Sequence, residues 1–216
     1  MQPWMARTIF VFLAGLAGML PFDLLMPRAD AAETETSETI VLVRHGEKPP
    51  GGLGQLNCQG LNRALALPPV IRKAFGRPAA IFAPDPSEQK TDAGKLYDYV
   101  RPLATIEPTA IAFGLPVHSG IGQSRIDDLR IQLDLPVYHN AFVLVAWEHW
   151  EIVRLARALM REHGGNPDLV PDWNGADFDS IFILKIRRTG SSATARFEVS
   201  QEGLDGQPQT CPGEPG

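Results

Sequence analysis

Residues Thr39-Ile40-Val41-Leu42-Val43, all β-branched or apolar, run straight into Arg44-His45-Gly46-Glu47-Lys48, and the chain then breaks at Pro49-Pro50-Gly51-Gly52. No other stretch constrains the fold as much. An apolar run without alternation, dominated by Val and Ile, reads as a strand buried on both faces, as in a parallel sheet. Such a strand delivers its last residues to the crevice at the carboxyl edge of the sheet, where open α/β folds place their ligands. What arrives there is a guanidinium, an imidazole and a glycine whose missing side chain lets a ligand come close. Arginine offers a planar fork of donors suited to phosphate or carboxylate, and histidine can act as nucleophile or proton carrier. Charged residues that merely cap a strand toward water would explain any one of these, but they explain the cluster poorly.

Elsewhere strand and helix patterns alternate. Residues 32–38 are polar and read as flexible, and 49–57 form a Gly/Pro-rich loop where a substrate loop would lie. Gly60 to Leu67 has the pattern of a short helix that Pro68-Pro69 breaks, with a second helix running from Pro69 to Phe75. Ala79 to Ala83 is a second strand, followed by a polar loop over 84–95, with helix resuming near Leu96. A short strand at Leu115 to Val117 and a helix at Ile126 to Leu133 come next. Ala141 to Trp147 is another long apolar run, ending in Glu148-His149-Trp150-Glu151. Ile152, Leu155, Ala156, Leu159 and Met160 then keep helical spacing up to Gly164-Gly165. This second strand–histidine–helix unit echoes the first. Asp179 to Ile186 and Ala193 to Ser200 read as paired strands joined at Arg188-Thr189-Gly190-Ser191. Trp147, Trp150 and Trp173 could line a pocket, although aromatic residues at such positions are more often core. The whole predicts one domain over residues 32–216 with alternating strands and helices.

Arg44-His45-Gly46-Glu47 resembles the signature of the histidine phosphatase superfamily, which includes phosphoglycerate mutases, acid phosphatases and phytases. The resemblance continues in order. Arg101, followed by Thr105, Pro108 and Thr109-Ala110, is similar to the superfamily's second arginine helix, and His149 to its second catalytic histidine. It implies a three-layer α/β/α sandwich with a mainly parallel central sheet, phosphoglycerate mutase-like. It also implies that His45 becomes transiently phosphorylated while Arg44 and Arg101 hold the phosphoryl group. Two departures stand out: the Ser-Pro and arginine pairing after the second strand is here Ala83-Pro84, and the aspartate that follows the second histidine in acid phosphatases is here Trp150.

Phosphoryl transfer needs charge neutralisation around the equatorial oxygens and in-line placement of nucleophile and leaving group. Arg44 and Arg101 would clamp the oxygens, His149 would add a donor, and Lys48 or a loop amide another. The arginines supply the positive charge, so neither metal nor cofactor is expected. The leaving alkoxide needs a proton; Glu148 is the candidate acid, with Glu47, Asp127 and Asp128 weaker ones. Three other readings compete. A mutase-type phosphoryl transferase would share the pocket. A phosphate-binding protein without turnover would keep the arginines without needing both histidines. A metal site built from His45, Glu47, Glu148 and His149 lacks recognisable ligand spacing, and the arginines would oppose the cation.

The 216 residues, 44% hydrophobic, suffice for one sizeable core, and the net charge of −5 offers no basic footprint for nucleic acid. Arg7 precedes an apolar run from Ile9 to Leu20 that is too short to span a bilayer comfortably, and Ala29-Asp30-Ala31 offers a cleavage site. Residues 1–31 therefore read as a signal peptide, giving a periplasmic or secreted protein without a stable membrane span. An uncleaved anchor, extended past Pro21 by Leu24, Leu25 and Met26, is the alternative. Export would place Cys58 and Cys211, both in polar, turn-rich settings, where a disulfide can tie the tail to the body. The expected partner is a small-molecule, glycan or lipid phosphomonoester; its identity and the oligomeric state are not legible.

Overall fold

β1 (Glu35–Arg44) is the axis of the molecule. Ile40, Val41, Leu42 and Val43 have no exposed surface, and each contributes about 1.5–3 kcal/mol of burial. Strand geometry sends alternate side chains to opposite faces, and the core divides accordingly. Ile40 and Leu42 enter one apolar cluster, Val41 and Val43 the other. The computed structural model describes residues 34–214, so the predicted signal segment lies outside the described residues.

From β1 the chain continues through α1 (Cys58–Phe75), β2 (Ala80–Pro84), a small hairpin of β3 (Gln89–Asp92) and β4 (Lys95–Asp98), and α2 (Arg101–Phe113). It then adds β5 (Val117–Ile121), α3 (Ile126–Leu133), β6 (Phe142–Trp147), α4 (His149–Glu162), β7 (Ser180–Thr189) and β8 (Ser192–Gln201). Six strands form one sheet in the order β5-β2-β6-β1-β7-β8. The β5–β2, β2–β6 and β6–β1 pairs are parallel, and β7 runs antiparallel to both neighbours. α1 and α2 cover the face of Val41, while α3 and α4 cover the face of Ile40. This is the expected three-layer α/β/α sandwich with a mainly parallel sheet. No helix among the described residues is long and apolar enough to cross a membrane.

Several local expectations are corrected. The polar start of β1 is not a free tail: Glu35 pairs with Arg187 and buried Glu38 with Arg188 across the antiparallel β1–β7 ladder. α1 is one helix that passes through Pro68 and Pro69, because Ala64, Leu67 and Ile71 on both sides of the prolines bury into one core. Residues 84–95 are not simply loop, nor does helix resume at Leu96. The β3–β4 hairpin closes there through Ala93 and Gly94, both with positive φ, and α2 begins only at Arg101. The short strand expected at Leu115 to Val117 is β5, starting at Val117. Trp147 and Trp173 belong to the core, whereas Trp150 is exposed with its ring 4.9 Å from that of His149.

The tail is fastened by a Cys58–Cys211 disulfide, which joins the first residue of α1 to a position 153 residues on.

Candidate active site

β1 and β6 end side by side, with Arg44 in register with Trp147 and the His45 amide donating to the Trp147 carbonyl at 3.2 Å. The parallel pairing therefore sets Arg44-His45 beside Glu148-His149 at the carboxyl edge of the sheet. α2 brings Arg101 to the same place. Thr105, one turn further along α2, accepts from the Gly46 amide and donates its hydroxyl to the Arg101 carbonyl, both at 2.9 Å. The Arg101–Thr105 spacing thus bolts the second arginine to the backbone of the first motif. Arg44, His45, Arg101, Glu148 and His149 are all buried.

The expectation that Gly46 makes room for a ligand is corrected. A Cβ there would lie 3.0 Å from the Cα and carbonyl oxygen of Gly60, so the missing side chain admits α1. A Cβ on Gly60 would in turn lie 2.4 Å from the Glu47 carbonyl oxygen. Glu47 faces away from the reaction side, held by buried Arg63, which also bonds Asp179, Glu202 and Asp205. Glu47 is therefore a structural partner.

Each site arginine is held by one terminal nitrogen. Arg44 donates from Nη1 to the carbonyls of Gly175 at 2.8 Å and Asp177 at 2.7 Å, with its guanidinium 3.9 Å above the Phe178 ring. Arg101 donates from Nη1 to Asp92, whose other oxygen takes the Lys48 ammonium at 2.9 Å. In both arginines Nε is buried and has no partner among the described residues. A buried donor left unmade costs about 1–3 kcal/mol, so both arginines keep donor capacity that the described residues do not use. Lys48 does lie beside Arg101, but through Asp92, and it is exposed.

His45 lies between Tyr99 and Phe178, each ring centroid 6.1 Å away. Its Nδ1 is 2.8 Å from the Gly46 carbonyl oxygen. A carbonyl only accepts, so Nδ1 carries the proton and Nε2 of the neutral ring keeps its lone pair. Burial, with the charges of Arg101 and Arg44 added, lowers the His45 pKa to about 3 against the pull of the Gly46 bond. Burial likewise lowers Arg44 from its ordinary value.

Glu148 is the N-cap of α4: Oε2 accepts from the amides of Trp150 at 2.9 Å and Glu151 at 3.3 Å. Oε1 lies 2.7 Å from His149 Nδ1, a close contact that does not meet hydrogen-bond geometry. Burial alone would raise this carboxyl. Its contacts with His149, Lys90 and the helix amides outweigh burial and hold it below the usual range. Oε2 is taken up by the helix cap, a part for Glu148 that its place in the sequence does not display. Asp127 and Asp128 lie on α3, Asp128 paired with Arg125, and neither joins this cluster. Among the described residues no group of three or more His, Cys, Asp or Glu side chains could hold a metal ion.

Sequence reasoning missed Asp92, Lys90, Tyr99 and the 174–178 loop. Half-buried Lys90 sits with Nζ 5.1 Å from the Tyr99 ring centroid, and burial lowers its pKa. The alternation in β3, which turns Lys90 and Asp92 the same way, was the available signal.

No protein-family model and no curated protein matches the chain. Solved structures do. The mycobacterial glucosyl-3-phosphoglycerate phosphatase solved with inorganic phosphate matches with a TM-score of 0.51 and 18% identity, over 74% of this chain and 95% of that one. SixA of Nakamurella multipartitia matches with a TM-score of 0.50 and 15% identity, over 76% of this chain and 95% of that one. The chain thus has the α/β/α fold of these two structures, the fold that the resemblance to histidine phosphatases implies.

Proposed function

We propose that the chain is a phosphoric monoester hydrolase of the histidine phosphatase superfamily, working through a phosphohistidine on His45. The observation that carries this reading is the arrangement around His45. A neutral imidazole with Nε2 unprotonated lies beside two arginines whose buried Nε donors have no partner.

In the first step Nε2 of His45 attacks phosphorus in line with the ester oxygen, and the P–O bond breaks. The free edges of Arg44 and Arg101 stabilise the charge on the equatorial oxygens. The leaving alkoxide takes a proton from the Glu148–His149 pair. His149 is the donor, and the Glu148 carboxylate beside Nδ1 orients its ring. Water then attacks the phosphohistidine, His149 takes the water proton, and phosphate leaves. The arginines supply the positive charge, so chelators are expected to leave turnover unchanged.

Export is part of the reading. The Cys58–Cys211 disulfide suits an oxidising compartment, and residues 1–31 have the composition of a cleaved signal. N-terminal sequencing of native protein should find cleavage after Ala31; cytosolic protein starting at Met1 would refute it.

The catalytic reading is tested by quenching turnover of a 32P-labelled phosphomonoester in alkaline SDS. Acid-labile, base-stable label should map to His45 and vanish in His45→Ala, which should lack turnover while keeping its fold. Wild-type turnover by His45→Ala would leave a phosphate-binding role as the better account.

A further inference from the structure

The β3–β4 hairpin is inserted between β2 and α2 and lies outside the main sheet. It carries one buried carboxylate, Asp92, into contact with two site cations. One oxygen accepts from Lys48 Nζ at 2.9 Å and the other from Arg101 Nη1. The 49–54 loop covers this contact closely: a Cβ on Gly52 would lie 2.2 Å from the Asp92 carboxyl carbon. The same loop seats the hairpin's exit, since the Gly54 carbonyl accepts from the amides of Val100 and Arg101 at 3.1 Å.

A carboxylate on a phosphate-binding arginine can be read in two ways. It can be a competing anion that substrate must displace, or a permanent fastening that aims the guanidinium. The pattern of the two arginines separates them. Arg44 has Nη1 fixed by two carbonyls and Nε left over; Arg101 has Nη1 fixed by Asp92 and Nε left over. Gly175 and Asp177 offer main-chain carbonyls, which no phosphate displaces, and Asp92 occupies the equivalent nitrogen of its arginine. Asp92 thus takes the nitrogen that in Arg44 is given to permanent backbone partners, which favours a fastening over a competing anion.

We infer that Asp92 is a positioning residue: by holding Nη1 of Arg101, and with it Lys48, it fixes the orientation in which the rest of the guanidinium is presented to a phosphoryl group. The inference rests on the reading of this pocket as a phosphoryl site. Asp92 acts only through its cations and exchanges no proton with substrate. The inserted hairpin is thereby part of the active site, not a surface decoration.

The test is a double-mutant cycle with inorganic phosphate as probe, followed by 31P NMR on the whole mature chain, so that it needs no turnover. Asp92→Ala should weaken phosphate about 10-fold or more in the wild-type background and less than about 2-fold on top of Arg101→Met. Asp92→Glu, which keeps the charge, should recover part of the loss, and vanadate should weaken in parallel. Tighter phosphate binding in Asp92→Ala would overturn the inference in favour of a competing anion. Equal losses in both backgrounds would overturn it in favour of a general structural role. A wild-type chain that binds no phosphate would overturn both this inference and the phosphoryl-site reading. Phosphate bound with the predicted coupling but never turned over would overturn only the hydrolase.

Discussion

A histidine that attacks phosphorus must keep a lone pair, and His45 keeps one because its ring is buried between two aromatic rings with Nδ1 fixed by a carbonyl. In the unliganded protein the Cε1 proton of His45 should show a flat NMR shift from about pH 8 to about pH 5, since its pKa falls to about 3; an inflection in the ordinary histidine range of about 6.5 would contradict this. The linkage has a definite sign. An unfolded histidine binds its proton below about 6.5 while folded His45 does not until about 3. This contribution to stability is therefore full above the unfolded value and is lost as the pH falls below it. Arg44→Lys should cost about 100-fold or more in kcat, measured on an activated aryl phosphate. One ammonium cannot bond the Gly175 and Asp177 carbonyls and also present a second edge to phosphate. Arg44 and His45 were legible because a buried strand ran directly into them. The place of Glu148 beside His149 was legible, but its capping of α4 was not, because capping is a property of backbone amides that the residue letters do not display.

At the scale of elements, legibility followed packing strength. β6, α3 and α4 were read nearly to the residue, since their apolar spacing decides both existence and length. The β3–β4 hairpin was missed because its turn residues, Ala93-Gly94, are not the Asn-Gly or Asp-Gly pair that announces a two-residue turn. α1 was cut in two by Pro68-Pro69, where tertiary burial outweighed the local cost of proline. The N-terminus of α1 has two fastenings: the Asn57 side chain accepts from Gly60 N at 2.8 Å, and Cys58 bonds Cys211. Replacing both cysteines by serine should lower stability by up to ~5 kcal/mol in the chain-entropy account, read from urea unfolding, because the closed loop is long. An unchanged midpoint in protein shown to be oxidised would refute it.

The whole molecule is joined behind the site by Arg63. It has no exposed surface and reaches Glu47 after β1, Asp179 before β7, Glu202 after β8 and Asp205 in the tail. One cation cannot balance so many carboxylates, and burial pushes Glu202 up to about 8. Its folded pKa lies above its unfolded value, so the contribution is present below the unfolded value and is lost as the pH rises through about 8. Glu202 should therefore pull denaturant midpoints down as the pH rises from about 5 to about 8, and Glu202→Gln should remove that component; an identical pH profile in the variant would exclude Glu202 as its source. None of this was visible in the chain order, because the partners of Arg63 lie 16 to 142 residues away from it.

The contact of Gly46 with Gly60 has a consequence for how loss of activity would be mapped. Any side chain at position 60 meets the carbonyl and amide of Glu47, at 2.4 and 2.8 Å for a Cβ, and backbone atoms cannot rotate out of the way. Gly60→Ala should therefore push the turn that carries His45 and cut kcat at least ~10-fold, while circular dichroism stays native. A mutational scan would then score the rear of the motif as harshly as its front. Position 60 would resemble a catalytic residue in every assay except one that asks whether it ever meets the substrate.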